Sequence, residues 1–285
     1  MSNIQNIVTV YITTKNRSQL LVRALDSVLN QDYESVEIIV IDDGSDDDTQ
    51  KIMSQYVLEN ENLIYIRNEL SLGANVSRNK AITLSNGKFI TGLDDDDYFF
   101  PNRVSRFVEF WNDGDGVACL FDNSISFDKN NRKNVRLRPK IVNYKNLFSY
   151  NYIGNQMFTK TDYLKEINGF DESLKSWQDL DCWLRLLQKF GVAKNINRNS
   201  YCIDDQHMHD RITNKNINIM RDSCATIMSK HKYIYKTRLL YQLSSYNDYY
   251  SSLIKAPILS LIKFDLKAAK LFTRSLLRLL KNTIL

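Results

Sequence analysis

Apolar and polar segments alternate along the first hundred residues in the order strand, helix, strand. Four apolar, β-rich runs lie at residues 7–13, 36–41, 63–66 and 89–93. The run at 36–41 is continuous, which is typical of a parallel strand buried on both faces. Between the first two runs, apolar residues recur at helical spacing: Leu20, Leu21, Ala24, Leu25, Val28 and Leu29. This order predicts an α/β fold, with a mostly parallel sheet flanked by helices.

The pattern changes after residue 100. A helix is predicted to begin near Pro101, and residues 117–170 indicate short strands mixed with loops. A helical pattern returns at 178–190, and from about Asn214 onward the chain is almost wholly helical in pattern. We therefore expect a helical C-terminal extension beyond the α/β part.

Polar clusters follow three of the predicted strands. Asp42-Asp43-Gly44-Ser45 follows the second strand, Asp94-Asp95-Asp96-Asp97 follows the fourth, and a polar stretch follows the first. Ligands of such sheets bind beyond the carboxyl ends of the strands. The sequence therefore predicts a site at this edge.

The acidic run at 94–97 is the candidate metal site. Carboxylates two positions apart past a buried strand face the same cleft, and Mg2+ or Mn2+ prefers oxygen ligands. Four adjacent aspartates also repel one another unless a cation or hydrogen-bond donors lie nearby. The alternative is an acidic turn that caps the next helix through Asp97 or Asn102. Placement at the shared sheet edge favours the metal.

Charge and cysteine content narrow the protein class. The net charge is +5, with acidic segments at 42–48 and 94–97 and a basic segment in about the last forty residues. The cysteines have no paired spacing, so reduced thiols in a cytosol are expected: Cys119, Cys182, Cys202 and Cys224. The first five residues lack the features of a signal peptide, and no stretch of eighteen apolar residues predicts a spanning helix. We expect a cytoplasmic protein that is soluble or peripherally attached to a membrane.

Several motifs together resemble the family-two glycosyltransferases. They follow the family's order over roughly residues 7–190: Ile-Thr-Thr-Lys-Asn-Arg at 12–17, Val-Ile-Asp-Asp-Gly-Ser at 40–45, Leu-Asp-Asp-Asp-Asp at 93–97 followed by Pro101, Gly-Phe-Asp-Glu at 169–172, and Gln-Asp-Leu-Asp-Cys-Trp-Leu-Arg at 178–185. The resemblance implies a Rossmann-like nucleotide-binding fold. It also implies transfer of a sugar from a nucleotide-diphosphate donor with inversion at the sugar carbon.

By this resemblance, three side chains line the nucleotide pocket, and two carboxylates lie beside the nucleobase. Thr13, Thr14 and Arg17 line the pocket, while Asp43, with Asp42 beside it, reads a base that is usually uracil. An aspartate accepts a hydrogen bond from the uracil ring N–H. The alternative for residues 42–45 is an ordinary strand-to-helix turn.

The resemblance also assigns the diphosphate and metal contacts. Arg78 and Asn79 match the family's Arg-Asn element, so Arg78 supports the diphosphate or the aspartates; otherwise it is a surface arginine. Asp94 and Asp96 match the Asp-x-Asp pair, with Asp96 the better ligand for Mn2+ or Mg2+, and Asp95 reaches the ribose.

Asp179 matches the family's catalytic base. Such a carboxylate takes the proton of the acceptor hydroxyl while that oxygen attacks in line. The alternative is a capping role for the helix that follows. His207 and His209 are candidates for a third metal ligand or a diphosphate contact, although histidines on an exposed loop are commoner.

Three positions depart from the family pattern. Thr13 stands where many relatives carry proline, and Lys15 where an aromatic residue is common, so base stacking is not expected there. Gln178 replaces the usual glutamate before the base. That replacement removes a charge that could orient the acceptor.

Residues 257–281 predict an amphipathic helix with a basic stripe, which suits the inner-leaflet surface of a membrane. The stripe comprises Lys263, Lys267, Lys270, Arg274, Arg278 and Lys281. Asp265 lies within the apolar face, and packing against the protein is the alternative. Nothing in the chain resembles a nucleic-acid module.

Together these observations predict a metal-dependent, inverting glycosyltransferase. We expect transfer of a hexose such as glucose or galactose from a UDP-sugar to a lipid-linked or growing saccharide in bacterial O-antigen or capsule synthesis. We divide the chain into a catalytic domain at 1–212, with the nucleotide side at about 1–100 and the acceptor side at about 101–212, and a helical region at 213–285. The alternatives are a nucleotidyltransferase, for which a glycine-rich loop after the first strand is missing, and a catalytically inactive nucleotide- or metal-binding protein.

Overall fold

The computed structural model describes residues 6–127, 132–204 and 217–231. Their strands are β1 (Val8–Thr14), β2 (Val36–Asp42), β3 (Leu63–Arg67), β4 (Phe89–Asp94), β5 (Tyr98–Phe99), β6 (Val117–Phe121), β7 (Ser124–Phe127), β8 (Lys133–Arg136), β9 (Ile141–Val142), β10 (Phe158–Lys160), β11 (Val192–Asn195) and β12 (Tyr201–Ile203). Their helices are α1 (Ser18–Leu29), α2 (Thr49–Glu59), α3 (Ala74–Leu84), α4 (Arg103–Phe110), α5 (Tyr144–Leu147), α6 (Thr161–Glu166), α7 (Gln178–Phe190) and α8 (Ile217–Lys230).

The larger sheet has the strand order β3-β2-β1-β4-β10-β6-β11-β9. Strands β3, β2, β1 and β4 pair in parallel, as the alternation of strands and helices predicts. Strand β10 then enters antiparallel between β4 and β6. The carboxyl ends of β1, β2 and β4 therefore meet at one edge.

Hydrophobic clusters cover both faces of this sheet. In β2, Ile39 and Ile41 belong to one cluster, and Ile38 and Val40 belong to the other. All four side chains have no exposed surface. Burial on both faces is the reason this strand has a continuous apolar sequence.

A smaller sheet, with the order β5-β12-β7-β8, lies directly beyond the acidic run. Strand β5 begins at Tyr98, the residue after Asp97, and pairs antiparallel with β12. This pairing brings residues from position 201 onward next to the end of β4.

Helix α8 packs on the same core as the α/β part of the chain. Its residues Met220, Cys224 and Ile227 belong to the hydrophobic cluster that includes Trp183 of α7. The predicted amphipathic helix at 257–281 lies outside the described residues, and the division at residue 212 stays a prediction.

Two further expectations can be compared with the described chain. All four cysteines are buried and free, as expected of reduced thiols. Among the residues described, no helix combines the length and the apolar character needed to cross a bilayer.

Candidate active site

The loop after β1 is joined to the acidic run after β4. Across the two strands, Thr13 is in register with Asp94. The Thr14 hydroxyl donates to Asp95 Oδ2 at 2.8 Å, and Arg17 Nη1 lies 3.0 Å from Asp95 Oδ1. Arg17 also approaches Asp96 Oδ2 at 3.4 Å. The predicted convergence of these strand ends is thus present in the structure.

Asp95 anchors this junction. Its side chain is buried, and burial raises its pKa to about 6 although Arg17 and Thr14 oppose the shift. Both carboxylate oxygens already accept hydrogen bonds from the β1 loop. In this conformation Asp95 therefore shapes the pocket, and its predicted contact with the ribose remains a prediction.

Asp94 is held by donors that sequence analysis did not identify. Asn155 Nδ2 donates to Asp94 Oδ2 at 2.6 Å, and Gln156 Nε2 donates to Asp94 Oδ1 at 2.8 Å. Arg78 Nη2 lies 3.6 Å from Asp94 Oδ1. The Asp94 side chain remains 25% exposed, so it is accessible to a ligand.

Asp97 lies behind the other aspartates and is almost fully buried. It accepts hydrogen bonds from the Tyr201 hydroxyl at 2.7 Å and from the backbone N–H of Asp204 at 3.1 Å. Burial, together with the charges of Asp94 and Asp96, raises the pKa of Asp97 well above its ordinary value. Proximity of like charges is the condition under which a cation is stabilising.

The described residues contain a three-carboxylate cluster that fits a divalent cation. One oxygen from each of Asp94, Asp96 and Asp97 lies within 4.8 Å of the others. Hard cations such as Mg2+ and Mn2+ prefer such oxygen donors. The family resemblance named Asp94 and Asp96 as ligands, whereas Asp97 was expected only as a member of the acidic run or as a helix cap. His207 and His209 lie outside the described residues.

The two aspartates after β2 have structural contacts. Asp42 has no exposed surface and accepts hydrogen bonds from Ser45 N at 2.8 Å and from the Tyr65 hydroxyl at 2.7 Å. In this conformation Asp42 is closed off from any ligand. The turn that it stabilises is the alternative that sequence analysis left open for residues 42–45.

Asp43 holds the loop that leads into α3. It accepts hydrogen bonds from the Ser71 hydroxyl at 2.7 Å and from the backbone N–H groups of Leu72 and Gly73 at 2.8 and 2.9 Å. Burial alone would raise the pKa of Asp43, but these hydrogen bonds outweigh it and the pKa is lowered. The carboxylate is thus charged and engaged with this loop, and base recognition by Asp43 remains a prediction.

Arg78 points into the site from α3 and is not a surface arginine. It is 9% exposed, and its guanidinium lies over the Phe170 ring at 5.3 Å as well as beside Asp94. The neighbouring Asn79 exchanges hydrogen bonds with the backbone of Phe170 at 2.7 and 2.9 Å. These contacts fix the Gly-Phe-Asp-Glu segment against α3.

Asp179 is the second residue of α7 and faces the same site. Asn151 Nδ2 donates to Asp179 Oδ2 at 2.9 Å. Burial raises the pKa of Asp179, although the N–H of Leu180 and the charge of Arg78 oppose the rise, and the charge of Asp94 adds to it. A carboxylate with a raised pKa, close to a cluster of other charged groups, suits a general base.

The three residues that depart from the family pattern lie near the end of β1 and at the start of α7. Thr13 is partly exposed at the end of β1, and Lys15 is exposed beyond it. Gln178 Oε1 is buried and has no hydrogen-bond partner among the described residues. An acceptor-binding role for Gln178 would satisfy that oxygen.

The sequence matches the model of a known protein family. Residues 9–167 match the family model described as "Glycosyl transferase family 2". The chain belongs to this family. Membership rules out the nucleotidyltransferase alternative for the catalytic part.

Two of the curated relatives are glycosyltransferases of Escherichia coli. The chain is 36% identical over 213 residues to the putative colanic acid biosynthesis glycosyl transferase WcaA of Escherichia coli, a match covering 73% of this chain and 75% of the relative. It is 28% identical over 192 residues to the E. coli UDP-Glc:alpha-D-GlcNAc-diphosphoundecaprenol beta-1,3-glucosyltransferase WfaP, covering 67% and 74%.

Solved structures confirm the Rossmann-like fold of family-two glycosyltransferases. A fragment of S. aureus TarS in complex with UDP-GlcNAc superposes with a TM-score of 0.66 at 19% identity, covering 87% of this chain and 76% of that one. The mannosyltransferase PcManGT of Pyrobaculum calidifontis, solved with GDP-Man and Mn2+, gives 0.63 at 15% identity, covering 98% and 81%. The chain is thus a glycosyltransferase by family membership, and its fold matches that of these two structures.

Proposed function

We propose that this glycosyltransferase is metal-dependent and inverting, and that it transfers a hexose such as glucose or galactose from a UDP-sugar to a hydroxyl of a lipid-linked or growing saccharide. The observation that carries the proposal is one constellation at the sheet edge. It combines the carboxylates of Asp94 and Asp96, the guanidinium of Arg78 and the carboxylate of Asp179.

Asp96 and Asp94 would hold Mn2+ or Mg2+. A bound ion neutralises the charge that builds on the diphosphate leaving group. Arg17 lies beside Asp96 and Arg78 beside Asp94, and we expect both guanidinium groups to bind diphosphate oxygens. The buried Asp97 supports the cluster through Tyr201.

Asp179 acts as the base on the acceptor side. Its carboxylate takes the proton of the acceptor hydroxyl as that oxygen forms the new bond to the sugar carbon and the bond to the diphosphate breaks. Arg78 lies 3.6 Å from Asp94, and its charge also acts on Asp179. A single displacement of this kind inverts the configuration.

The names of the relatives support the substrate class. WfaP is named for a UDP-glucose donor and a diphosphoundecaprenol acceptor, and WcaA for colanic acid biosynthesis. By this analogy we place the protein in the synthesis of a bacterial surface polysaccharide such as O-antigen or capsule. Work at the cytoplasmic face of the membrane, with attachment through residues 257–281, would bring the site to a lipid-linked acceptor.

The test is turnover of UDP-glucose, UDP-galactose and UDP-N-acetylglucosamine with a synthetic GlcNAc-diphosphoryl lipid and Mn2+. We expect a β-linked product from an α-linked donor, read by NMR of the anomeric proton. Asp179→Asn should lower kcat by about 10²–10⁴-fold and leave UDP affinity unchanged. Retention of anomeric configuration, or full activity in Asp179→Asn, would refute the inverting mechanism with this base.

A further inference from the structure

A short turn that contains none of the family motifs holds the side chain of Asp179. This turn, residues 151–154, lies in the irregular stretch between β9 and β10. Asn151 Nδ2 donates to Asp179 Oδ2 at 2.9 Å and also lies 3.1 Å from the carbonyl oxygen of Gly154. The Asn151 amide therefore joins the turn to the first turn of α7.

The turn closes on itself and docks on α7 at a second point. Gly154 N donates to Asn151 Oδ1 at 3.2 Å, so the Asn151 side chain both donates to and accepts from Gly154. Trp183 Nε1, one turn after Asp179 on α7, donates to the Gly154 carbonyl at 2.8 Å. Gly154 has φ +91°, a backbone conformation that residues other than glycine rarely adopt.

A mostly buried arginine supports the turn from the other side. Arg138 Nη1 donates to the carbonyl oxygens of Asn151 and Tyr152 at 3.2 and 3.0 Å. Its Nη2 approaches the Ser124 hydroxyl of β7 at 3.4 Å. The turn is therefore fixed between the smaller sheet and α7, and the position of the Asn151 amide is determined by the backbone around it.

We propose that Asn151 is a positioning residue for the base: its amide fixes the orientation of the Asp179 carboxylate toward the acceptor and stabilises the charged form. The assignment of Asp179 as the base rests on the proposed function, whereas the contact itself is part of the fold. A hydrogen-bond donor is required here, because a second carboxylate would repel Asp179 and an apolar side chain would leave Oδ2 without this donor.

Charged and titratable groups from three elements act on Asp179. Arg78 comes from α3, Asp94 from the end of β4, and the Cys182 thiol from α7 itself. Arg78 favours the charged carboxylate and Asp94 opposes it. Asn151 adds a donor without charge, so its removal raises the pKa of Asp179 while these other groups remain unchanged.

The first experiment follows Asp179 directly and needs no substrate. In full-length, metal-free protein labelled with 13C at aspartate Cγ, the Asp179 resonance is assigned by its loss in Asp179→Asn. We expect Asn151→Ala to move the titration midpoint of Asp179 up by about one pH unit, the size expected for loss of a hydrogen bond to a charged group. Asn151→Asp, which keeps the shape of the side chain, should move it further.

Asn112→Ala is the matched control. Asn112 Nδ2 donates to Asp115 Oδ1 at 3.0 Å on the exposed surface, so this variant removes a similar contact far from the base. It should leave the Asp179 midpoint within about 0.2 units of the wild type, well below the shift expected at Asn151. An unchanged Asp179 midpoint in both folded Asn151 variants would overturn the proposal.

Turnover then separates this proposal from the proposed function. With the UDP-sugar that the wild type uses, the acid limb of kcat/KM should move to higher pH in Asn151→Ala and the rate should recover above that limb. A purely structural defect would lower the rate by the same factor at every pH, which also contradicts the proposal. If Asp179→Asn remains active, Asp179 is not the base, regardless of the titration midpoint measured for Asp179 in the Asn151 variants.

Discussion

Arg103 and Arg106 lie three residues apart on α4 and meet different surroundings. Arg103 is 1% exposed, and its Nη1 lies 3.0 Å from Asp122 Oδ1. Its guanidinium lies over the rings of Phe99 and Phe107 at 4.7 and 4.6 Å. Arg106 pairs with a glutamate in an exposed position. The same residue type is therefore a buried structural group at one position and a surface group at the other.

We predict that Arg103→Met lowers the free energy of unfolding by about 3–5 kcal/mol, because it leaves the charge of Asp122 buried without its partner. Arg106→Met should cost less than about 1 kcal/mol, since exposed ion pairs contribute little. Urea unfolding of both variants measures the difference. Equal losses in the free energy of unfolding of the two variants would mean that the buried Arg103–Asp122 pair does not stabilise the smaller sheet.

At the scale of elements, α8 is attached to the rest of the fold by an ionic contact. Lys230 lies at its end and donates to Asp171 and, at 2.8 Å, to Asp181 Oδ1. Asp181 has no exposed surface and is also bound by Arg185 at 2.8 Å. Although burial acts to raise it, the pKa of Asp171 is lowered to about 2 by hydrogen bonds from Lys230 and Ser173.

We predict that Lys230→Met lowers the free energy of unfolding by about 2 kcal/mol at pH 7. Because the folded-state pKa of Asp171 is depressed, its contribution is present above its ordinary pKa and is lost as pH falls from about 4 towards 2. The gap between wild type and variant should therefore narrow over that window. Lys189→Met, which removes the exposed pair with Glu166, is the control. If the difference in free energy of unfolding between wild type and Lys230→Met does not change with pH, the contact with Asp171 is not the cause of that difference.

The elements that local patterns specify could be predicted from the sequence. The helical pattern predicted at 178–190 is α7, with the same bounds. Helical spacing and continuous apolar runs are short-range signals, so these elements follow from neighbouring residues. Strand β10 has three residues and no such signal. Its place depends on the pairing of Phe158 with Thr91 and Leu120, which lie far away in sequence.

At the scale of the whole molecule, the sheet order explains which part of the site was predictable. Parallel strand ends meet at one edge, so Thr14, Arg17 and Asp95 could be placed together before the structure was known. The positions of Asn155 and Tyr201 could not be predicted in this way. Asn155 reaches the aspartates because β10 inserts into the larger sheet, and Tyr201 reaches them through the smaller sheet. Contacts between segments that are distant in sequence require the topology, and motif spacing does not supply it.

The same topology concentrates negative charge at one edge of the protein. Three carboxylates lie together there, and burial raises the pKa of Asp95 and Asp97. The proposed cation at Asp96 and Asp94 offsets this charge and couples the protein to a nucleoside diphosphate. Asp48, an exposed aspartate that follows β2, is not a member of this three-carboxylate cluster.

The measurement that tests this claim most directly is titration calorimetry with UDP, with and without Mn2+, on wild type, Asp96→Asn and the control Asp48→Asn. We expect Mn2+ to tighten UDP binding at least about tenfold in the wild type and in Asp48→Asn, a gain of about 1.4 kcal/mol or more. Asp96→Asn should lose that gain. UDP affinity that does not depend on Mn2+, or a gain that survives in Asp96→Asn, would contradict a metal–diphosphate site at the end of β4.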